Sequence, residues 1–174
     1  MKTVAIAGPF DTKGTEYLYA KELIESLQLN TYTIHTGVFK STFKPDISNE
    51  EVAQAAGEDI KVLAQRKDIE LTTEVLSKGM KNLIPQLYEQ GKFNGIIFFA
   101  GPIETSSVAS AMKALPIDVP KLMISTVASK NTPQYVGESD IIMMPTIVDV
   151  EEFNFTSTKI AVFTIAKMVK FENN

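Results

Sequence analysis

Asp11, Thr12 and Lys13 place a carboxylate, a hydroxyl and an ammonium at three consecutive positions, framed by Gly8-Pro9 before them and Gly14 after. These residue types suit a phosphorylated ligand. Lys13 would pair with phosphate oxygens, Thr12 would donate a hydroxyl hydrogen bond, and Asp11 would hold Mg²⁺ or a ribose hydroxyl. The plain alternative is that Asp11 or Thr12 caps the helix that follows while Lys13 faces water. The order is not that of a P-loop, because Lys13 precedes its glycine. Two later groups are candidates for the same hollow. Gly101, Glu104, Thr105, Ser106 and Ser107 stand where a helix begins, so capping competes there with ligand contact. Ser125, Thr126, Ala128 and Ser129 follow the end of another strand. None of these serines reads as a nucleophile: there is no G-x-S-x-G elbow, and no motif positions a histidine base.

Each group has elements to hold it. Thr3 to Ala7 is a short apolar run stopped by Gly8-Pro9, the pattern of a buried strand. Tyr17, Leu18, Ala20, Leu23, Ile24 and Leu27 then recur at helical spacing over Thr15 to Leu27. A strand, a glycine-containing loop and a helix in that order present backbone N–H groups to an anion. Thr31 to Thr36 is a second strand, and its His35, the sole histidine, reads as a packed imidazole. Ser48-Asn49-Glu50-Glu51 starts a short helix over Glu50 to Ala56. Ile69 to Gln90 is the longest helix, with a kink expected at Pro85. Ile96 to Ala100 is apolar on both faces, as a strand between two helical layers must be. Thr105 to Ala114 is helical, Val119 to Thr126 and Asp140 to Met144 are strands, and Glu151 to Phe171 is a closing helix. Asp140 and Asp149 read as caps or as polar cleft residues. Arg66, the sole arginine, reads either as an anion contact reaching from the segment before the long helix or, more plainly, as an exposed ion-pair partner.

Alternating strands and helices predict an α/β fold of three layers: a Rossmann-like, mainly parallel five-stranded sheet with helices on both faces. Residues 1–174 make one domain, with no repeat or linker to divide them. In such a sheet ligands sit beyond the carboxyl ends of the strands, where strand order reverses. The loops Gly8–Glu16, Gly101–Ser107 and Ser125–Ala128 are therefore expected to converge at one edge.

Composition narrows the function. The chain has 44% hydrophobic and 22% charged residues, with 17 basic against 21 acidic and a formal net charge of −4. That balance argues against a nucleic-acid footprint, which would need a basic face. Cysteine is absent, which excludes disulfides, thiolate catalysis and cysteine-zinc sites. There is no signal-peptide pattern at the start and no apolar run of about 18 residues, so a cytoplasmic location without membrane contact is expected.

The motifs also carry a resemblance. Gly8-Pro9-Phe10-Asp11-Thr12-Lys13-Gly14-Thr15-Glu16 resembles the G-T-x-D-T-K-G-x-E start of uncharacterised protein family 261, the family of the tomato mosaic virus resistance protein. Pro45-Asp46-Ile47-Ser48 is similar to its A-P-D-I-S segment. Ala111 to Ile117 and Val119 to Thr126 are similar to its A-M-R-A-L-P-x-G-x-P-K-L-M-V-S-T run. Ala128-Ser129, Tyr135-Val136-Gly137, Asp140-Ile141 and Val148-Asp149-Val150 follow in the family's order. The resemblance implies a Rossmann-like lobe binding ATP or a related nucleotide with Mg²⁺, and no assigned reaction. It also implies a two-lobed protein of which this chain is the first lobe, so that another subunit or chain would supply the second. One departure stands out. The family's G-G-S-G-G-T loop reads Ala100-Gly101-Pro102-Ile103-Glu104-Thr105 here, which removes glycines and an N–H donor and adds a carboxylate.

The expected function is thus a binding lobe for an ATP-like nucleotide or phosphorylated metabolite. Its expected ligand-binding residues are Gly8, Asp11, Thr12, Lys13, Gly14, Gly101, Thr105, Ser106, Ser125 and Thr126. One alternative is a non-catalytic subunit with a decayed site, acting as a homo-oligomer or scaffold through the apolar face of Ile69–Gln90. Another is a metal-assisted hydrolase or transferase using Asp11 or Glu104, which needs carboxylates converging on one ion.

Overall fold

In the computed structural model, which describes residues 1–102, 104–128, 132–146 and 155–171, five apolar runs form one parallel sheet. The strands are β1 (Thr3–Gly8), β2 (Asn30–His35), β3 (Gly95–Ala100), β4 (Lys121–Ser125) and β5 (Ile142–Pro145), in the spatial order β2-β1-β3-β4-β5. All four neighbouring pairs are parallel, so every strand ends at the same edge. The chain steps from β1 out to β2, then returns past β1 to β3. Strand order reverses between β1 and β3, and that boundary is the expected crevice of such a sheet.

Because side chains alternate along a strand, each strand feeds both faces. Val4 and Ile6 of β1, Ile97 of β3, and Leu122 and Ile124 of β4 pack under α1 (Gly14–Ser26) and α7 (Phe155–Phe171). Ala5, Ala7, Ile34, Ile96, Phe98 and Met123 face the other layer. That layer holds α2 (Asn49–Ala55), α4 (Ile69–Glu89) and α5 (Glu104–Lys113), with α3 (Ile60–Arg66) against α2 and α4. Single-turn α6 (Pro133–Val136) lies beside α5. Burying each such aliphatic side chain contributes roughly 1.5–3 kcal/mol, which fixes the strand register that brings the loops together.

One local expectation is met in detail. Ser48 caps α2 in a full capping box with Glu51. Asp68 caps α4, accepting from the Leu71 N–H at 3.0 Å. Others need correction. α3 and α6 were not anticipated, and β4 starts at Lys121 rather than Val119. α4 holds Pro85 inside it, at the position where the kink is expected. Its apolar face, with Val75, Leu76, Met80, Ile84 and Leu87, is buried in the core and is not open to a partner. The residues of the closing helix before Phe155 lie outside the described ones, as do Ile103, Ser129 and Asp149. The outer side of α7 leaves Ile160, Phe163 and Phe171 exposed. No helix among the described residues is long and apolar enough to cross a membrane.

The amino edge of the sheet is closed by an ion pair. Lys121 is only 1% exposed, yet its ammonium is saturated. Nζ donates to Pro116 O at 2.7 Å, to Val119 O at 3.0 Å and to Asp140 Oδ1 at 2.8 Å. Asp140 Oδ2 accepts from the Asp118 N–H at 2.8 Å. Desolvation pushes the Asp140 carboxyl up, but the Lys121 and Asp118 hydrogen bonds and the Lys121 charge outweigh it and hold the carboxyl below its ordinary value. Asp140 is therefore a latch at the amino ends of the strands, away from the crevice at their carboxyl ends.

Candidate functional site

The loop after β1 begins where a side chain will not fit. A Cβ on Gly8 would run into the Tyr17 ring, whose hydroxyl donates to Phe99 O at 3.0 Å and so ties α1 to β3. Burial drives the Tyr17 phenol far above its ordinary ionisation range; the hydrogen bond to Phe99 opposes this, and the Glu104 and Glu16 charges add to it. Tyr17 is thus a fixed donor. The Lys13 N–H closes the turn onto Pro9 O at 3.0 Å, and α1 starts at Gly14 with no side-chain cap. Gly14 is buried against Thr42, which anchors to Phe10 O through its hydroxyl at 2.9 Å. Asp11 does not cap the helix. Its Oδ1 accepts from the Thr12 N–H and its Oδ2 from the Phe39 N–H, both at 2.9 Å, so it binds the loop after β1 to the loop after β2.

The second loop is held from three sides. Asp11 lies over Gly37, where any Cβ would strike its carboxylate. Asn49, the first residue of α2, directs its amide nitrogen to the carbonyls of Gly37 (2.8 Å), Val38 (3.1 Å) and Phe39 (3.2 Å). His35 is 1% exposed. Its Nδ1 accepts from the Phe10 N–H at 3.2 Å and the Gly37 N–H at 3.4 Å, while Nε2 lies 2.8 Å from Phe39 O. Two donors at Nδ1 and a carbonyl at Nε2 place the proton on Nε2. The imidazole is packed, as expected, stacked on Phe10 with ring centroids 5.5 Å apart, and it couples the two loops.

In the third and fourth loops the candidate hydroxyls meet one another. Thr105 is fully buried, its Oγ1 2.6 Å from Gly101 O and 2.8 Å from Ser125 Oγ. Ser125 Oγ also accepts from the Val127 N–H at 3.2 Å. Thr105 and Ser125 therefore converge as expected, as an internal tie between the ends of β3 and β4. Ser106 is exposed on α5. Thr126 Oγ1 is buried without a hydrogen-bond partner among the described residues.

A cavity of about 260 Å³ opens at the β1/β3 boundary. Of the expected residues, Asp11 and Thr12 line it, and Glu104 and Ser107 join them from α5. Gly8, Lys13, Gly14, Gly101, Thr105, Ser106, Ser125 and Thr126 do not. The rest of the wall comes from places the sequence had not marked: Thr36 to Phe39 after β2, and Ile69, Thr72, Thr73, Leu76 and Met80 along α4, over Phe98. The lining is mostly apolar, and among the described residues its two charged members are both carboxylates. Glu104 makes no hydrogen bond or ion pair among the described residues. No group of three or more His, Asp or Glu gathers closely enough to hold a metal ion among those residues. This arrangement can enclose a flat or aliphatic body and accept hydrogen bonds from it.

A family model described as the N-terminal domain of uncharacterised protein family UPF0261 matches residues 2–174. A UPF0261 protein of Clostridium tetani is 38% identical over 173 residues, covering 97% of this chain and 43% of the relative. The UPF0261 protein RA0729 of Rhizobium meliloti is 29% identical over 157 residues, 90% of this chain and 39% of the relative. The ToMV resistance protein Tm-1(GCR237) of Solanum lycopersicum is 36% identical over 87 residues, 50% of this chain and 12% of that protein. The chain spans less than half the length of these relatives.

Proposed function

The chain belongs to the UPF0261 family, matching its N-terminal domain, and from that premise we propose that it is a ligand-binding lobe for a nucleotide or phosphorylated metabolite. The observation that carries the reading is the cavity at the strand-order reversal, walled by the loops after β1 and β2 and by α4 and α5. At about 260 Å³ it is sized for the ring or apolar portion of such a ligand rather than the whole. Mg²⁺ would arrive with the phosphates, because the cavity's own carboxylates, Asp11 and Glu104, form no closed ligand set. Asp11 acts by shaping the wall, since both its oxygens already accept backbone N–H groups.

Thermal melts with ATP, ADP and AMP, each with and without Mg²⁺, test the reading. A ligand at a hundred times its dissociation constant adds about 2.7 kcal/mol, a rise of roughly 5–10 °C for a chain this size. No shift with any of them at millimolar concentration would overturn it.

A further inference from the structure

The cavity that suits a ligand's ring is hostile to its phosphates. Among the described residues it carries the Asp11 and Glu104 carboxylates and no lysine or arginine. An anion seated between them would meet repulsion in surroundings that screen charge poorly. A phosphorylated ligand using this cavity must therefore send its anionic end elsewhere.

The wall between Val38 and Phe39 has a second side. There a cleft of about 610 Å³ is lined by Lys40, Lys44 and Lys61 together with Thr42, Ser48 and Asn49. Val38 and Phe39 line both hollows, so the two adjoin across a single crest. The three ammonium groups come from two separate elements, the loop after β2 and α3, and share one groove in a chain of net charge −4. None of them makes a hydrogen bond or ion pair among the described residues. One carboxylate, Glu50, is also in the groove.

The crest itself is rigid and presents an aromatic ring. The Phe39 backbone is held at its N–H by Asp11 and at its carbonyl by both His35 and Asn49. Its side chain is nonetheless 66% exposed. A large apolar ring held in water on an over-determined backbone is available as a stacking surface for a flat ligand.

We propose that the two hollows are one bipartite site: the ring or apolar body enters the cavity beside Phe39, and the phosphates lie on Lys40, Lys44 and Lys61. This rests on the proposed function and relocates its anion seat, from the Lys13 turn to the loop after β2. Phe39 divides the two halves and contacts both.

Calorimetric titration at low salt tests it, using adenosine, AMP, ATP and inorganic pyrophosphate as probes. The variants are Lys40→Glu/Lys44→Glu/Lys61→Glu, Phe39→Ala and Lys13→Ala. All three lysines of the triple variant are exposed, so its fold should persist, checked by circular dichroism. In the wild type, affinity should rise from adenosine to AMP to ATP, and pyrophosphate should bind alone. The triple variant should lose about tenfold or more for ATP and pyrophosphate while adenosine is unchanged. Phe39→Ala should weaken adenosine and ATP alike. If the triple variant keeps wild-type ATP affinity and Lys13→Ala loses it, the anion seat is at the α1 turn and this inference fails while the binding reading stands. If the wild type takes up none of the four probes, both fail together. Pyrophosphate binding lost in the triple variant would support the anion seat even if nucleosides are refused.

Discussion

Lys121 at the amino edge of the sheet and Lys40, Lys44 and Lys61 at the carboxyl edge carry the same charge under opposite conditions. Lys121 is out of reach of solvent, and its ammonium is consumed by two carbonyls and the Asp140 carboxylate. The other three stand in water around a groove, without a hydrogen-bonding or ionic partner among the described residues. The carboxylates divide the same way: Asp140 and Asp11 are satisfied, Glu104 is not. A buried charge must be paired because desolvation would otherwise destabilise the fold. A charge left open has no such structural reason for its place, and Lys40, Lys44 and Lys61 stand together beside the strand-order reversal.

The comparison breaks most easily at Lys121. Lys121→Ala strands a carboxylate and two carbonyls and should cost about 3–5 kcal/mol in urea unfolding, or roughly 6–20 °C in melting temperature. Lys121→Met should recover part of the loss, since it keeps the apolar stem. Neither should alter ligand affinity, and a stable Lys121→Ala protein would erase the contrast.

Asn49→Ala sharpens the same contrast from the other edge. Its amide serves three carbonyls of the crest, so about 1–3 kcal/mol of stability should go. Ligand affinity should fall with it, which a purely structural latch such as Lys121 would not produce. Paired urea unfolding and titration separate the two outcomes.

The smallest effect is acid dependence at Asp140. Its folded carboxyl titrates below its unfolded value, so the latch is fully effective above the ordinary carboxylate range and weakens as pH falls through the folded value. The side chain is 33% exposed, and solvent screening keeps the effect to about 1 kcal/mol. Unfolding free energies at neutral and acid pH should converge between wild type and Asp140→Asn; parallel curves would show that Asp140 contributes nothing.

The fold was largely legible because its signal is local. Apolar runs such as Ile96 to Ala100 and the helical spacing from Tyr17 to Leu27 state their periods within a few turns of chain. α3 was missed because a seven-residue helix buries only Ile60 and Leu63, too few to declare a period. The site was legible in part. The Asp11-Thr12 turn announces itself by residue type, and Glu104 and Ser107 stood among the marked groups. The rest depends on tertiary contact. Lys61 joins Lys40 and Lys44 only because α3 folds back on the loop after β2, so no run of charge marks the groove in sequence. Asn49 read as part of a helix start, and nothing nearby reveals that its amide reaches back ten to twelve residues. Thr105 and Ser125 were marked for a ligand because sequence shows hydroxyls at strand ends but not that they face each other.

The clamping of Phe39 by Asp11, His35 and Asn49 has a kinetic consequence. The entropy of ordering that segment is lost once, when the chain folds, and not again at each ligand encounter. Association should then approach the rate of diffusive collision rather than wait on a loop closing. Its speed should fall as salt is added, because the three lysines attract an anion only over the distance that counterions permit.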